Sequence, residues 1–441
     1  MSEYYNKYYE GIFWIPENEK YKIIGTLFID KEGKATISSL QPLIKYDKPV
    51  DWGRIKIDTI FGYINGNNVS GTHSVKFYNA YNTSQSFGGL NKYQYISQKV
   101  LVSDFFDKDI CEKNYNSIMF NAQILNDWIN ITGFKDNEVF TKKFKVNQVY
   151  EKPEDIDLFT EDHLHIYINF RATAGYPIKR KTYIKEEVYI NIKTKDNKSF
   201  DELIYLQKNI ERLFNILLFY PFSAENIDVR SLSNKIYKWL FKPKEKIFYQ
   251  KNEIKFNLFK EQSTRIFDNW FKKQKKLELI INNFFSVFGQ KGIVVENKFL
   301  TYVSILENYH RNNFSIETTK KILSKYNIFK IRKYKGIETP NFQQRLICVI
   351  DQSPVSSKID NLKKYTEILR DTRDYHIHLL DVKGEKSLTW QEINKANQLL
   401  EFVIREIFIK ELGIKDFNQK MTHLPIIKVA DLKLNSKKEK K

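Results

Sequence analysis

The chain has 441 residues, 42% hydrophobic and 15% aromatic, a composition that fits a folded protein of two or three domains and excludes a disordered one. Its 72 Lys and Arg against 53 Asp and Glu leave a formal charge of +19, which favours polyanionic partners, although abundant Lys, Asn, Ile and Tyr is also what an AT-rich genome writes. Two distant cysteines, Cys111 and Cys348, exclude a disulfide framework or structural zinc site, and the longest apolar runs, such as 213–222, are too short to span a bilayer. No basic segment followed by an apolar stretch opens the chain, so the expectation is a cytoplasmic protein without membrane partners.

Residues 11 to about 195 read as mostly strand, beginning with 21–29 and 35–40 joined by the turn Asp30-Lys31-Glu32-Gly33. Further strand-like runs are 55–64, 73–78, 93–102, 139–149, 163–170 and 182–193, which predicts a sandwich or curved sheet. At Ser199 the period changes to that of a helix. Leu203, Leu206, Ile210, Leu213 and Leu217 follow the capping box Ser199-Phe200-Asp201-Glu202, and Pro221 ends the segment. Residues 226–258, with a strand pair at 246–250 and 253–258, read as the edge of the first domain.

Beyond about 260 the pattern predicts helices at 263–288, 294–312, 316–326, 341–351, 357–380 and 389–412. Gly289 and Gly292 separate the first two. The last opens with a capping box, Thr389-Trp390-Gln391-Glu392, carries Ile393, Ala396, Leu400, Val403 and Ile407 on one stripe, and stops at Gly413. The predicted organisation is therefore an α+β chain: a β-rich domain at 1–258, an all-α bundle at 259–415 and a basic tail at 416–441. From about 428 the lysine-rich tail reads as solvated disorder rather than a nucleic-acid arm.

Residues 370–380 concentrate Arg370, Asp371, Arg373, Asp374, His376 and His378. Arginine offers a permanent charge and a planar fork of donors suited to phosphate, and histidine exchanges a proton near neutral pH, so the set suits phosphodiester chemistry. Arg-x(4–6)-His alone is weak: 12 arginines and seven histidines yield about 0.6 chance matches. Two nested matches occur, Arg373-x4-His378 and Arg370-x5-His376. On an unbroken helix Arg373 and His378 lie roughly 140° apart, whereas Arg373 and His376 share the stripe of Ile359, Leu362, Leu369 and Leu380. Three arrangements could reunite the first pair: a break in the helix, a long reach by the arginine, or two-fold symmetry between copies. His378 is the first choice and His376 the second.

Leu306-Glu307-Asn308-Tyr309-His310-Arg311, Thr372-Arg373-Asp374-Tyr375-His376-Ile377-His378 and the closing amphipathic helix together resemble a HEPN domain. Gly11-Ile12-Phe13-Trp14-Ile15-Pro16 and Gly25-Thr26-Leu27 resemble the amino-terminal domain of the ApeA-like branch of that family. The resemblance implies an all-helical, metal-independent endoribonuclease without cofactor, preceded by a domain that senses and restrains it, in bacterial abortive defence against phage. It also implies an RNA substrate, for which tRNA is the candidate, a phage-encoded trigger and a homodimer. Carried over by position, Arg373 and His378 take the motif ends, Asp374 takes the polar place where relatives often carry asparagine, and Glu307 takes that of a helix glutamate.

Bland readings compete with each signal. Arg373 could pair with Asp374 or Asp381, and Glu307 and His310 could be polar groups on an exposed helix face. His163-x-His165 has metal-binding spacing on a strand but no third ligand, and Glu253-x-Lys255 and Glu32-x-Lys34 are chance triplets. Basic clusters at 179–181, 272–276 and 330–335 could track an RNA backbone or be solvated faces, and the last interleaves Tyr334. The alternative to a nuclease is a non-catalytic RNA-binding or protein-interaction module.

Overall fold

The structure is a computed structural model that describes residues 4–44, 55–65, 71–83, 85–87, 90–103, 105–107, 114–135, 149–178, 181–241, 254–378, 386–417 and 424–435. The chain forms two compact units, one of residues 1–211 and 222–245, the other of residues 212–221 and 246–441. The first is β-rich and the second helical, an α+β chain as the hydrophobic periods predict.

The first unit holds β1 (Lys7–Trp14), β2 (Ile23–Ile29), β3 (Ala35–Ser39), β4 (Lys56–Asn65), β5 (His73–Asn82), β6 (Gln85–Phe87), β7 (Leu90–Ser97), β8 (Lys99–Ser103) and β9 (Asn114–Asn121). After the short helix α1 (Gln123–Ile129) come β10 (Ile156–Glu161), β11 (Leu164–Ile178), β12 (Lys181–Ser199), α2 (Phe200–Leu218), whose residues from Arg212 count with the second unit, β13 (Asn226–Ser231) and β14 (Ile236–Leu240). The fourteen described strands pair antiparallel in the order β10-β11-β12-β9-β13-β14-β8-β5-β4-β1-β2-β3-β7-β6. An additional β5–β7 pairing, Tyr81 against Ile96, curls one end of this curved sheet into a barrel. Alternate residues point inward: Phe13, Leu27, Ile37, Ile60, Val75 and Tyr95 are at most 2% exposed and form its core.

The glycines of the first-domain motif let this wall close. A methyl on Gly62 would lie 2.5 Å from Phe13 Cδ1, and one on Gly11 would lie 2.9 Å from Phe13 Cζ and 2.7 Å from the Tyr63 carbonyl oxygen. The Phe13 ring fills the space that side chains at 11 and 62 would need. At Gly33 the hairpin turn has φ +80°, and Asp30 Oδ1 accepts hydrogen bonds from the Glu32 and Lys34 amides at 2.8 and 2.9 Å.

Some sequence readings change. The run 93–102 is two strands, β7 and β8, because the Ser97 hydroxyl donates to Tyr78 O and accepts from the Lys99 amide, turning the chain between them. His163 sits in the β10–β11 turn and not on the strand, and His165 instead bonds Asp157 at 2.6 Å and stacks on Tyr167, so the pair does not share one strand face. The expected strand at 139–149, apart from Val149, the expected strand at 246–250, and Cys111, Glu253, Leu380 and Asp381, lie outside the described residues.

The second unit holds α3 (Phe256–Val287), α4 (Val295–Asn313), α5 (Ile316–Ser324), a small hairpin of β15 (Arg332–Tyr334) and β16 (Ile337–Thr339), α6 (Phe342–Asp351), α7 (Leu362–His378) and α8 (Trp390–Leu412). Gly289 and Gly292, at φ +69° and +76°, make the α3–α4 turn. α8 is buried on several sides, from Ile393 and Ala396 through Phe402, Val403, Ile404 and Phe408, and packs on α3 and α4. Its last carbonyls are capped by α3: Asn269 Nδ2 donates to Leu412 O at 2.9 Å and Lys273 Nζ to Glu411 O at 2.7 Å, before Gly413 stops it at φ +69°.

The capping box at Ser199 forms, with Glu202 Oε2 accepting from the Ser199 amide at 2.8 Å. The one expected at Thr389 does not. The Thr389 amide donates to Lys433 O, Glu392 pairs with Lys395 at 2.9 Å, and Thr389 Oγ1 has no hydrogen-bond partner among the described residues. The same contact corrects the expectation of disorder for residues 428–435. Residues 424–435 are tied down by bridges from Ile427 to Ile359 and Leu434 to Leu388, with Ile427 at 3% exposure.

Candidate active site

The site is assembled on three helices that pack in series, α4 on α6 and α6 on α7. α6 starts with a capping box in which Asn341 Oδ1 accepts from the Gln344 amide and Gln344 Oε1 from the Asn341 amide, both at 2.9 Å. That start puts Phe342 and Arg345 one turn apart on neighbouring faces, Phe342 toward α7 and Arg345 toward α4.

α7 is an unbroken helix to His378, its last residue, so a break within the motif is not how its groups meet. Thr372 fixes its end: the hydroxyl donates to Ile368 O at 2.8 Å and accepts from the Leu388 amide at 3.0 Å. The Arg373 guanidinium lies 4.7 Å from the centre of the Phe342 ring, and Nη1 bonds Asp374 Oδ1 at 3.1 Å. A guanidinium over an aromatic face is attracted by the ring and keeps its permanent charge and its remaining donors for an oxyanion. Arg370 is placed similarly, donating to Asp371 Oδ1 at 2.9 and 3.1 Å and to Gln343 Oε1 at 3.2 Å.

His378 is exposed, free to meet a substrate or a second copy of the chain. His376 is partly covered, its ring edge-on to Tyr375 at 5.0 Å, and its Nε2 is enclosed with no hydrogen-bond partner among the described residues. Burial lowers its pKa below the usual imidazole value, against a smaller opposing pull from Glu296. Arg373 and His376 are roughly 60° apart on the helix and Arg373 and His378 roughly 140°, so one copy brings the first pair near a common face and splays the second.

Glu307 on α4 does not sit on an exposed face. Its side chain is 15% exposed, bonds Arg311 at 2.7 Å and forms an ion pair with Arg345, whose side chain is 9% exposed. Burial pushes its pKa up, and the two guanidinium groups together outweigh that and hold it below the ordinary range. His310 is 3% exposed, bonded to Thr319 Oγ1 at 3.1 Å and stacked on Phe314; burial chiefly, then Arg345 and Arg311, lower its pKa to about 4. Sequence reasoning missed Arg345 and Phe342. The Asn341-x-x-Gln344 box was the available signal, since it fixes where α6 starts and hence what its faces carry. Among the described residues no group of three His, Cys, Asp or Glu side chains could hold a metal ion, and no helix is long and apolar enough to cross a membrane.

Two family models match the chain: ApeA N-terminal domain 1 over residues 8–284 and Apea-like HEPN over residues 300–416. The chain belongs to the ApeA-like HEPN family. The ApeA amino-terminal match runs from β1 into α3, and the HEPN match takes in Glu307, Arg345, Arg370, Arg373 and His378. The HEPN domain gives the chain a function of the nuclease type. No curated protein matches the chain in sequence. A solved structure titled "MrkH, A novel c-di-GMP dependence transcription regulatory factor" is similar over 47% of this chain and 84% of that one, at 9% identity and a TM-score of 0.13, a likeness too slight to carry an argument.

Proposed function

We propose that this ApeA-like HEPN protein is a metal-independent endoribonuclease of bacterial abortive-infection defence, with Arg373 and His378 as its catalytic pair. The observation that carries the reading is the Arg373 guanidinium held on Phe342 at the end of α7, within five residues of a freely accessible imidazole. The ribose 2′-hydroxyl attacks the adjacent phosphorus, His378 takes its proton, and the bond to the 5′-oxygen of the next nucleotide breaks as that oxygen takes a proton from water, to which His378 afterwards returns its own. Arg373 binds the phosphate and stabilises charge growing on its non-bridging oxygens. The ends formed are a 2′,3′-cyclic phosphate and a 5′-hydroxyl.

The roughly 140° between the two side chains favours a homodimer in which each copy completes the other's cleft. Asp374 holds the arginine in position, and Glu307 acts at a distance by fixing Arg345 on α6. The amino-terminal domain is read as the sensor of a phage-encoded trigger, and tRNA as the candidate substrate. The test is cleavage of RNA in EDTA by the wild-type chain, with loss in Arg373→Ala and His378→Ala proteins whose melting is unchanged.

The Arg373–Asp374 and Arg370–Asp371 pairs support a second reading, in which satisfied arginines belong to a module that binds RNA without cutting it. That module would give salt-dependent binding and no products.

A further inference from the structure

The hairpin of β15 and β16 belongs to no larger sheet and buries little. It stands between α5 and α6 and is held at its base by the Gln344 amide, which donates to Lys330 O at 2.8 Å, and by buried Ile331 and Pro340. Its two-residue turn, Lys335 and Gly336, has φ +47° and +81°, the primed turn that favours Asn-Gly, yet a lysine occupies the first place.

Directly opposed residues of a hairpin share a face. Lys333 opposes Glu338, and Glu338 pairs with Lys320 of α5 at 2.6 Å, so that face is turned toward α5. The other face carries Arg332, Tyr334 and Ile337, with Tyr334 60% and Ile337 70% exposed. Among the described residues Lys330, Arg332, Lys333 and Lys335 form no ion pair, and all four are exposed. Only Pro340 and Asn341 separate β16 from Phe342, so the hairpin base lies within about 11 Å of chain from the Cα of Phe342, whose ring supports Arg373.

From this placement we infer that the hairpin is a docking wing for a single-stranded segment of RNA, its cations following the phosphates and Tyr334 stacking on a base. The inference rests on the reading of the helical unit as an RNA-cutting domain, and it adds where the strand leaves the cleft. An exposed aromatic side chain among unneutralised cations is complementary to a strand with both phosphates and open base faces. An acidic protein would meet the cations but offers no regular run of open base faces for Tyr334 to stack on.

The probe is a fluorescent 2′-O-methyl oligoribonucleotide, which cannot be cut because its 2′-oxygen is blocked, titrated against the full chain by anisotropy. Replacing three cations together, Arg332→Gln, Lys333→Gln and Lys335→Gln, should weaken binding roughly tenfold or more at 0.1 M salt and lower the salt slope by about 2. Tyr334→Ala should weaken it roughly tenfold and Tyr334→Phe should not. Unaltered melting temperatures tie these losses to the surface. Unchanged affinity in either the cation variant or Tyr334→Ala overturns the inference. If the wild-type chain binds through the hairpin but leaves an unmodified strand whole, the nuclease reading falls and the docking wing stands.

Discussion

Acidification should loosen α4 from α5 at His310 by an amount that follows from its surroundings. The ring is 3% exposed, and burial first, then Arg345 and Arg311, bring its pKa from 6.5 to about 4. Once unfolded, the same ring takes up a proton near its ordinary value. Between those two values the unfolded state binds more protons than the folded one, so stability falls as pH falls from 6.5 toward 4. At about 1.36 kcal/mol per pKa unit, the loss approaches roughly 3 kcal/mol in full and about 2 kcal/mol at pH 5. Hydrogen exchange of α4 and α5 amides, corrected for the intrinsic pH dependence, reads this directly. Going from pH 7.5 to 5, the opening equilibrium of the wild-type chain should rise roughly 30-fold more than that of His310→Gln, which keeps a hydrogen-bonding group but cannot charge. An equal response in the two proteins would refute the reasoning.

Gly62→Ala places a methyl against Phe13 in the barrel wall and should cost the first unit about 1–3 kcal/mol, measured by urea unfolding; wild-type stability would contradict the packing described. Arg345→Met leaves the enclosed Glu307 carboxylate with Arg311 alone, a loss of about 2 kcal/mol or more that Glu307→Gln should partly restore in the double variant. Asp374→Ala removes the carboxylate that holds Arg373 in position, so kcat/KM for RNA should fall several-fold; an unchanged or raised kcat/KM would mean that the carboxylate only neutralises the arginine.

The helical half was the more legible because its punctuation is local. Gly289, Gly292 and Gly413 each act within one turn of chain, and the predicted helices from 263 to 412 fall close to α3 through α8. Thr389 with Glu392 has the same spelling as Ser199 with Glu202 but fails, because residue 433, far along the chain, takes the amide that the box needs. Barrel closure has no local signal at all, since it depends on Tyr81 meeting Ile96. β1 precedes the first strand named from the sequence, 21–29, and in it the Phe13 ring occupies the space that the missing side chain of Gly11 leaves. At the site, the Arg-x4-His spelling was readable and its support was not: Phe342 and Arg345 acquire meaning only once α6 lies between α4 and α7.

The chemistry at the cut ends is the most direct measure of the central claim. With EDTA present, RNA incubated with the wild-type chain should yield 2′,3′-cyclic phosphate and 5′-hydroxyl termini by mass spectrometry, and a single 2′-O-methyl group on the 5′ side of a cut should abolish that cut. Ends bearing a 5′-phosphate and 3′-hydroxyl, or cutting that proceeds past the blocked 2′-oxygen, would contradict attack by the ribose and with it the roles given to His378 and Arg373.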